Sequence, residues 1–229
     1  MDMHISNKKR FIYIVSLIVI LLWLLGFVSG FYFGDKSVVG FLIGFAIVVW
    51  IGFSLISLFQ EFEYSFLGIK GEATVSTYLE TLYRKGVRCL DNIDFKLNRG
   101  DVDHVVVSPS GVWTVETKNT KNIFLADRSL FEKEESHFLK GCIRQAHAEA
   151  YSVRDFLSKN GFSDVPVNPI LVFADTYAMV NLGYTPVQGV YVIGKQGLKN
   201  VIVDNPKKVL SEDKIDQLVE LFGRYQQEW

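Results

Sequence analysis

The stretch DVDHVVVSPSGVWTVETKN, from Asp101 to Asn119, reads as two β-branched runs, VDHVVV and GVWTVETK, joined by SPSG. Proline and glycine at the joint suit a tight reversal, so the segment is expected to form a β-hairpin. With Pro109 and Ser110 at the turn, Ser108 faces Gly111, and counting back along both strands sets Asp103 across from Glu116. Side chains alternate. Asp103, Val105 and Val107 therefore share a face with Val112, Thr114, Glu116 and Lys118, while Trp113 and Val115 point the other way. Two carboxylates and an ammonium converge at the open end of the hairpin.

Opposed carboxylates repel and raise each other's pKa unless a cation sits between them. Mg²⁺ resolves that conflict, since it is held by one or two carboxylates together with waters and substrate phosphate oxygens. Lys118 would reach the same volume as a compact cation on a flexible stem. It could hold or deprotonate an attacking water, or stabilise charge on phosphorus oxygens. Those parts suit metal-assisted phosphodiester hydrolysis. The D-(x)n-E-x-K pattern is short, and the same residues also suit a structural ion pair at a strand end, so spacing leaves both readings open.

Working outward, the 229 residues allow a membrane anchor plus one soluble domain. The 49% hydrophobic content is high for a soluble protein, and the excess is concentrated before residue 60. Residues 11–33 and 37–60 carry no charge, and each is long enough for the roughly 20 apolar residues that cross a bilayer. The pair is expected to form a transmembrane hairpin of two helices, about 11–33 and 38–59, joined by the polar tip GDKS. A cleaved signal peptide fits less well, because the first apolar stretch is long, lacks a small-residue cleavage site and is followed by a second span. Lys8, Lys9 and Arg10 precede the first span, so the positive-inside rule places both termini in the cytoplasm. Neither span holds an ionisable residue that would mark an ion path, which favours an anchor over half of a channel or sensor assembly.

The 24 basic and 25 acidic residues of the chain, less four and two before residue 61, leave residues 61–229 with a net charge of −3. That is not the basic balance of a tight non-specific nucleic-acid binder, so phosphate contacts must be local or metal-mediated. Cys89 and Cys142 stand far apart without zinc-ligand spacing and are expected to be reduced and structural.

After a connector, EFEYSFLG, a first amphipathic helix is expected through IKGEATVSTYLETLYRKG, with Glu72 near its start and Gly86 closing it. VRCLDNIDF offers a short strand. A long helix follows from about His137 to Lys159, ended by Gly161. VNPILVFAD and VQGVYVIG read as buried strands, and SEDKIDQLVELFGRYQQ as a helix capped by Ser211. The order predicts an α/β domain with a mixed sheet.

GEATVSTYL, DVDHVVVSPSGVWTVETKN and IRQAHAEAYSVRDFL together resemble the nuclease-related domain, NERD, of the PD-(D/E)xK nuclease superfamily, over roughly Gly68 to Leu157. Membrane spans accompany bacterial members of that family. The resemblance implies a restriction-endonuclease-like fold, a mixed sheet flanked by helices. It also implies that Asp103 and Glu116 bind metal, that Lys118 is catalytic, that Glu72 is a further metal ligand or support, and that Gln145 lies near the site. Related exonuclease-like members carry a tyrosine one helical turn after the glutamine, whereas Tyr151 stands six residues on, so no role passes to Tyr151.

Other readings accompany these residues. Glu72 near a helix N-terminus is favourable through the macrodipole without any metal. His104 alternates away from Asp103 and suits a packing role better than a catalytic base. Gln145 is ordinary as a solvated helix residue. Lys121, Arg128, Lys133, Lys140 and Arg144 suit either a phosphate-contacting rim or, with Glu132, Glu134 and Glu135 among them, a mixed-charge surface.

The expected whole is an anchor over residues 1–60 and a cytosolic NERD-like domain over 61–229, in a multi-pass protein of the cell membrane. It would hydrolyse phosphodiester bonds, in DNA, with Mg²⁺ or Mn²⁺. The alternatives are a catalytically silent module that tethers nucleic acid or protein to the membrane, and a sensor whose membrane hairpin is the functional part.

Overall fold

The computed structural model describes residues 18, 21, 37–95, 101–120, 123–131 and 137–226, and the chain divides into two units, Met1–Phe66 and Leu67–Trp229. The first expected span, 11–33, lies outside the described residues except for Ile18 and Leu21, both helical and exposed. A single helix, α1 (Ser37–Glu80), covers the second span. It is the one helix among the described residues long and apolar enough to cross a membrane.

Helix α1 corrects the expected chain plan. The span was to end at residue 59, with a connector before a separate amphipathic helix, yet the helix runs unbroken to Glu80. EFEYSFLG changes composition without supplying a breaker, having no proline and only Gly68 at its end. Ser65, Thr74 and Thr77 turn their hydroxyls onto carbonyls one turn back, which satisfies them without leaving the helix. A short 3₁₀ turn, Tyr83–Lys85, then closes at Gly86, where the stop was expected.

The second unit is built on a five-stranded mixed sheet of β1 (Arg88–Ile93), β2 (Val102–Ser108), β3 (Gly111–Lys118), β5 (Val167–Phe173) and β7 (Tyr191–Gly194), in that spatial order. β1, β2 and β3 are antiparallel neighbours, while β5 and β7 continue parallel to β3. β3 is thus the central strand, and seven of its eight residues are buried. A small parallel pair, β4 (Phe124–Leu125) with β6 (Met179–Val180), stands apart from this sheet.

Alternation sends the two faces of the sheet into different cores. Val105, Val107 and Val112 pack with Val153, Phe156 and Leu157 of helix α2 (His137–Lys159) and with Leu218 and Phe222 of helix α4 (Glu212–Gly223). Val106, Trp113, Val115 and Ile170 pack on the other face with Val75 and Leu79 of α1 and with Leu198 and Ile202 of helix α3 (Leu198–Ile202). The first half of α2 packs through Cys142, Ile143 and Ala146 on Leu171, Phe173 and Val192. Helices thus flank the mixed sheet on both faces.

Helix α2 has the expected bounds, and Gly161 follows it at φ +85, a left-handed conformation that L side chains resist. Ser211 caps α4 by accepting from the Lys214 N–H at 3.4 Å, although α4 ends at Gly223, short of the expected Gln227. The strand expected over 187–194 is limited to β7, because Gln188 and Gly189 form a tight turn with Val187 hydrogen-bonded to Val190. α3 and the β4–β6 pair were not foreseen; each is too short to show a period.

Candidate active site

The β2–β3 ladder pairs Ser108 with Gly111, Val106 with Trp113 and His104 with Val115, the register expected from the turn. One step beyond the last rung, Asp103 Oδ2 accepts the backbone N–H of Thr117 at 2.8 Å. The carboxylate is thereby tied to the main chain of β3 at the residue between Glu116 and Lys118. On the other edge of β3, Glu116 pairs with Leu171 and Lys118 with Phe173 of parallel β5. The carboxyl ends of adjoining parallel strands are where open α/β sheets place their ligands.

Glu116, Lys118 and Gln145 close a triangle. The Lys118 ammonium contacts Glu116 Oε1 and donates to Gln145 Oε1 at 3.0 Å, and Gln145 Nε2 donates to Glu116 Oε2 at 2.9 Å. Glu116 is 1% exposed, and the Lys118 side chain, at 26%, is the side of the triangle open to solvent. A single amide serves both partners because its oxygen accepts and its nitrogen donates. An open hollow lined by Lys118, His137, Phe138, Arg144 and Gln145 adjoins it.

The electrostatics match the crowding of acids. Burial, then the Glu116 charge, and to a lesser extent Glu72, push Asp103 up to about 7 despite the Thr117 hydrogen bond. Burial raises Glu72 as well, with His104 lowering it, Glu116 raising it and Lys118 lowering it again. For Lys118, burial disfavours the charged form, but the charge and hydrogen bond of Glu116 outweigh it and raise the ammonium above the ordinary lysine value.

Glu149, one helical turn beyond Gln145 on α2, has its carboxyl against that of Glu116 and is pushed well above the usual carboxylate range, by burial first and then by Glu116. The sequence reading missed it. Its signal was position: Glu149 falls in the buried stripe Leu139, Cys142, Ala146, Ala150, Val153 of α2, where a carboxylate has no ordinary reason to be.

Glu72 reaches this region through a close approach. A Cβ on Gly71 would lie 2.6 Å from Asn119 Cβ, just past the end of β3, and Asn119 Nδ2 donates to the Leu67 carbonyl at 2.8 Å. Helix and strand therefore touch backbone to side chain at Gly71, with Glu72 next along the helix.

His104 lies fully buried, on the face away from Asp103. Its Nδ1 is 2.7 Å from Asp91 Oδ1, which also receives the Cys89 thiol at 3.0 Å, while Ser76 donates to Asp91 Oδ2. Burial works against the Asp91 carboxylate, but the hydrogen bonds of His104 and Ser76 leave its pKa lowered. Cys89, Asp91 and His104 have metal-ligating atoms within 4.8 Å of one another, a cluster that cysteine spacing did not reveal. Burial and the Asp91 charge push the Cys89 thiol well up, away from the thiolate a metal needs.

Thus Asp103, Glu116, Lys118 and Gln145 are brought together, with Glu72 in electrostatic reach. Tyr151 is exposed and stacks with His147 instead. Of the expected rim, Lys121 and Lys133 lie outside the described residues, as do Glu132, Glu134 and Glu135. Arg128 is committed to the Leu182 carbonyl at 2.8 Å and to Thr185. Lys140 and Arg144 are exposed on α2.

Residues 67–174 match the family model of NERD, the nuclease-related domain. Comparison with curated proteins and with solved structures finds no match. The matched span runs from within the last third of α1 to the residue after β5 and contains every residue of the constellation. It suggests a nuclease-related function and, with it, nucleic-acid binding and a general dependence on divalent metal.

Proposed function

We propose that the chain is a divalent-metal-dependent nuclease of restriction-endonuclease-like fold that hydrolyses phosphodiester bonds in DNA at the cytoplasmic face of the membrane. The observation that carries this reading is the Glu116–Lys118–Gln145 triangle beside Asp103, within the NERD match.

The donors suit Mg²⁺ or Mn²⁺. Asp103, Glu116 and Glu72 offer hard carboxylate oxygens, the set such ions prefer over nitrogen or sulfur. Asp103 is raised by burial first and then by the Glu116 and Glu72 charges, and a bound cation would offset that repulsion. A divalent ion held by these carboxylates would polarise a phosphoryl oxygen and make water a better nucleophile.

The chain's own groups do the rest. Lys118, kept protonated by Glu116, is a cation rather than a base, suited to hold the attacking water or to meet charge developing on the phosphorus oxygens. Gln145 fixes the direction of its stem from the far side. Arg144 and His137, lining the adjoining hollow, are placed for phosphates flanking the scissile bond.

For location, the reading rests on α1 and on Lys8, Lys9 and Arg10 before the first apolar segment. Chain that washes off membranes at high salt would remove the anchor from the proposal.

The test uses full-length protein in detergent with duplex, single-stranded and branched DNA and with RNA. Cleavage should require Mg²⁺ or Mn²⁺, stop with chelator, and be lost in Asp103→Asn and Lys118→Ala. Cutting that survives chelation sinks the proposal. Nucleic-acid binding without cleavage under any divalent ion supports the silent tethering module instead.

A further inference from the structure

We propose that Glu149 is a ligand of the metal centre, a helix-borne carboxylate that joins Asp103 and Glu116 around the divalent ion. This rests on the nuclease reading above and extends its ligand set to a residue outside the D-(x)n-E-x-K pattern.

The geometry is specific. Glu149 is 6% exposed, and among the described residues no N–H or hydroxyl donates to either of its oxygens; its carboxyl meets that of Glu116, a hydrogen bond that only a shared proton can make. Buried carboxylates are ordinarily paired, because an uncompensated one forfeits its hydration. Its acidic neighbours follow that rule: Asp103 accepts from Thr117, Glu116 is held by Lys118 and Gln145, and Asp91 has three donors. Glu149 differs from these in having no such donor and only the carboxyl of Glu116 as its hydrogen-bonding neighbour.

Packing gives no other reason for the residue. Ala146, Ala150 and Val153 flank it on the buried stripe of α2, and an apolar side chain there would fill the space without desolvating a charge. The spacing from Gln145 is four residues, so both side chains leave the same face of the helix one turn apart. Gln145 has its amide on Glu116, and Glu149 comes to the same carboxylate. A divalent ion held by Glu149, Glu116 and Asp103 would take the place of that shared proton and supply the positive partner the buried acids lack.

Mn²⁺ titration of the full-length protein in detergent decides this, by calorimetry and by the Mn²⁺ electron-resonance spectrum, with chelated protein melted alongside. Glu149→Gln should weaken Mn²⁺ binding by about tenfold or more and alter the bound-ion spectrum. Without metal it should melt at or above wild type, since the new amide can donate to Glu116. Glu149→Met, apolar and of similar length, should show the same loss of affinity and guards against misfolding of the first variant. If both variants bind Mn²⁺ as wild type does while Asp103→Asn does not, Glu149 is no ligand and the metal centre stands without it. If wild type itself binds no Mn²⁺, both proposals fall.

Discussion

Asp103 accepts the backbone N–H of Thr117, so the acid of one strand is tied to the main chain between the acid and the lysine of the next. Asp103→Asn keeps an acceptor for that N–H while removing the charge. With its folded pKa near 7, above the ordinary aspartate value, native Asp103 binds more protons than in the unfolded chain between those limits. Stability must therefore fall as pH rises through that window. In chelator, Asp103→Asn should melt with wild type near pH 4 and below, progressively above it as pH rises from there to about 7, and by a constant margin beyond. Added Mn²⁺ should raise the wild-type melting temperature and leave the variant unmoved. A melting gap that is constant with pH would contradict this.

Lys118 and Gln145 separate charge from geometry. Lys118→Arg keeps a cation against Glu116 but replaces a point charge with a planar fork. Cleavage should fall by about 100-fold with stability nearly unchanged. Gln145→Leu should reduce turnover by about tenfold, with little change in Mn²⁺ affinity, because its amide positions Lys118 rather than holding the ion. Single-turnover cleavage read beside calorimetry checks both.

Gly71→Ala tests the contact that delivers Glu72. Its methyl would meet Asn119 Cβ at 2.6 Å, and relief requires the end of α1 or of β3 to shift. A loss of about 1–3 kcal/mol in denaturant unfolding is expected, with weaker Mn²⁺ binding. Asn119→Gly in the same chain should recover part of the loss, so the double-mutant cycle should show favourable coupling. Additive losses would mean that the two positions do not meet.

His104→Ala should cost about 2–4 kcal/mol through a buried void and a missing donor to Asp91. Asp91, with its lowered pKa, contributes stability above the unfolded aspartate value and loses it as pH falls through the folded one. The gap between variant and wild type in denaturant unfolding should accordingly narrow in acid. If His104→Ala instead abolishes Mn²⁺ binding without loss of stability, His104 belongs to the metal centre.

The hairpin was legible because its determinants are local: a Pro-Ser turn sets register, and register with alternation sets which charges meet. α2 was legible from its apolar period. Gln145 was not, since its place beside Glu116 and Lys118 depends on how α2 docks across β3 and β5, information that no spacing carries. Resemblance supplied it. Glu149 was half legible, being an acid on an apolar stripe, but its partner lies 33 positions away in sequence. The continuity of α1 was misread because a change from apolar to charged residues alters the surroundings of a helix without ending its hydrogen bonds.

The same hairpin orders the assembly of the domain. Asp103, Glu116 and Lys118 are gathered by closing one tight turn, an event of about microseconds, whereas Gln145 and Glu149 arrive only when α2 docks through long-range packing. The nascent hairpin thus carries its opposed acids before the amide that braces Lys118 is in place. If the nuclease reading holds, divalent ions should consequently accelerate refolding as well as stabilise its product, which would make the bound ion a folding aid to the domain.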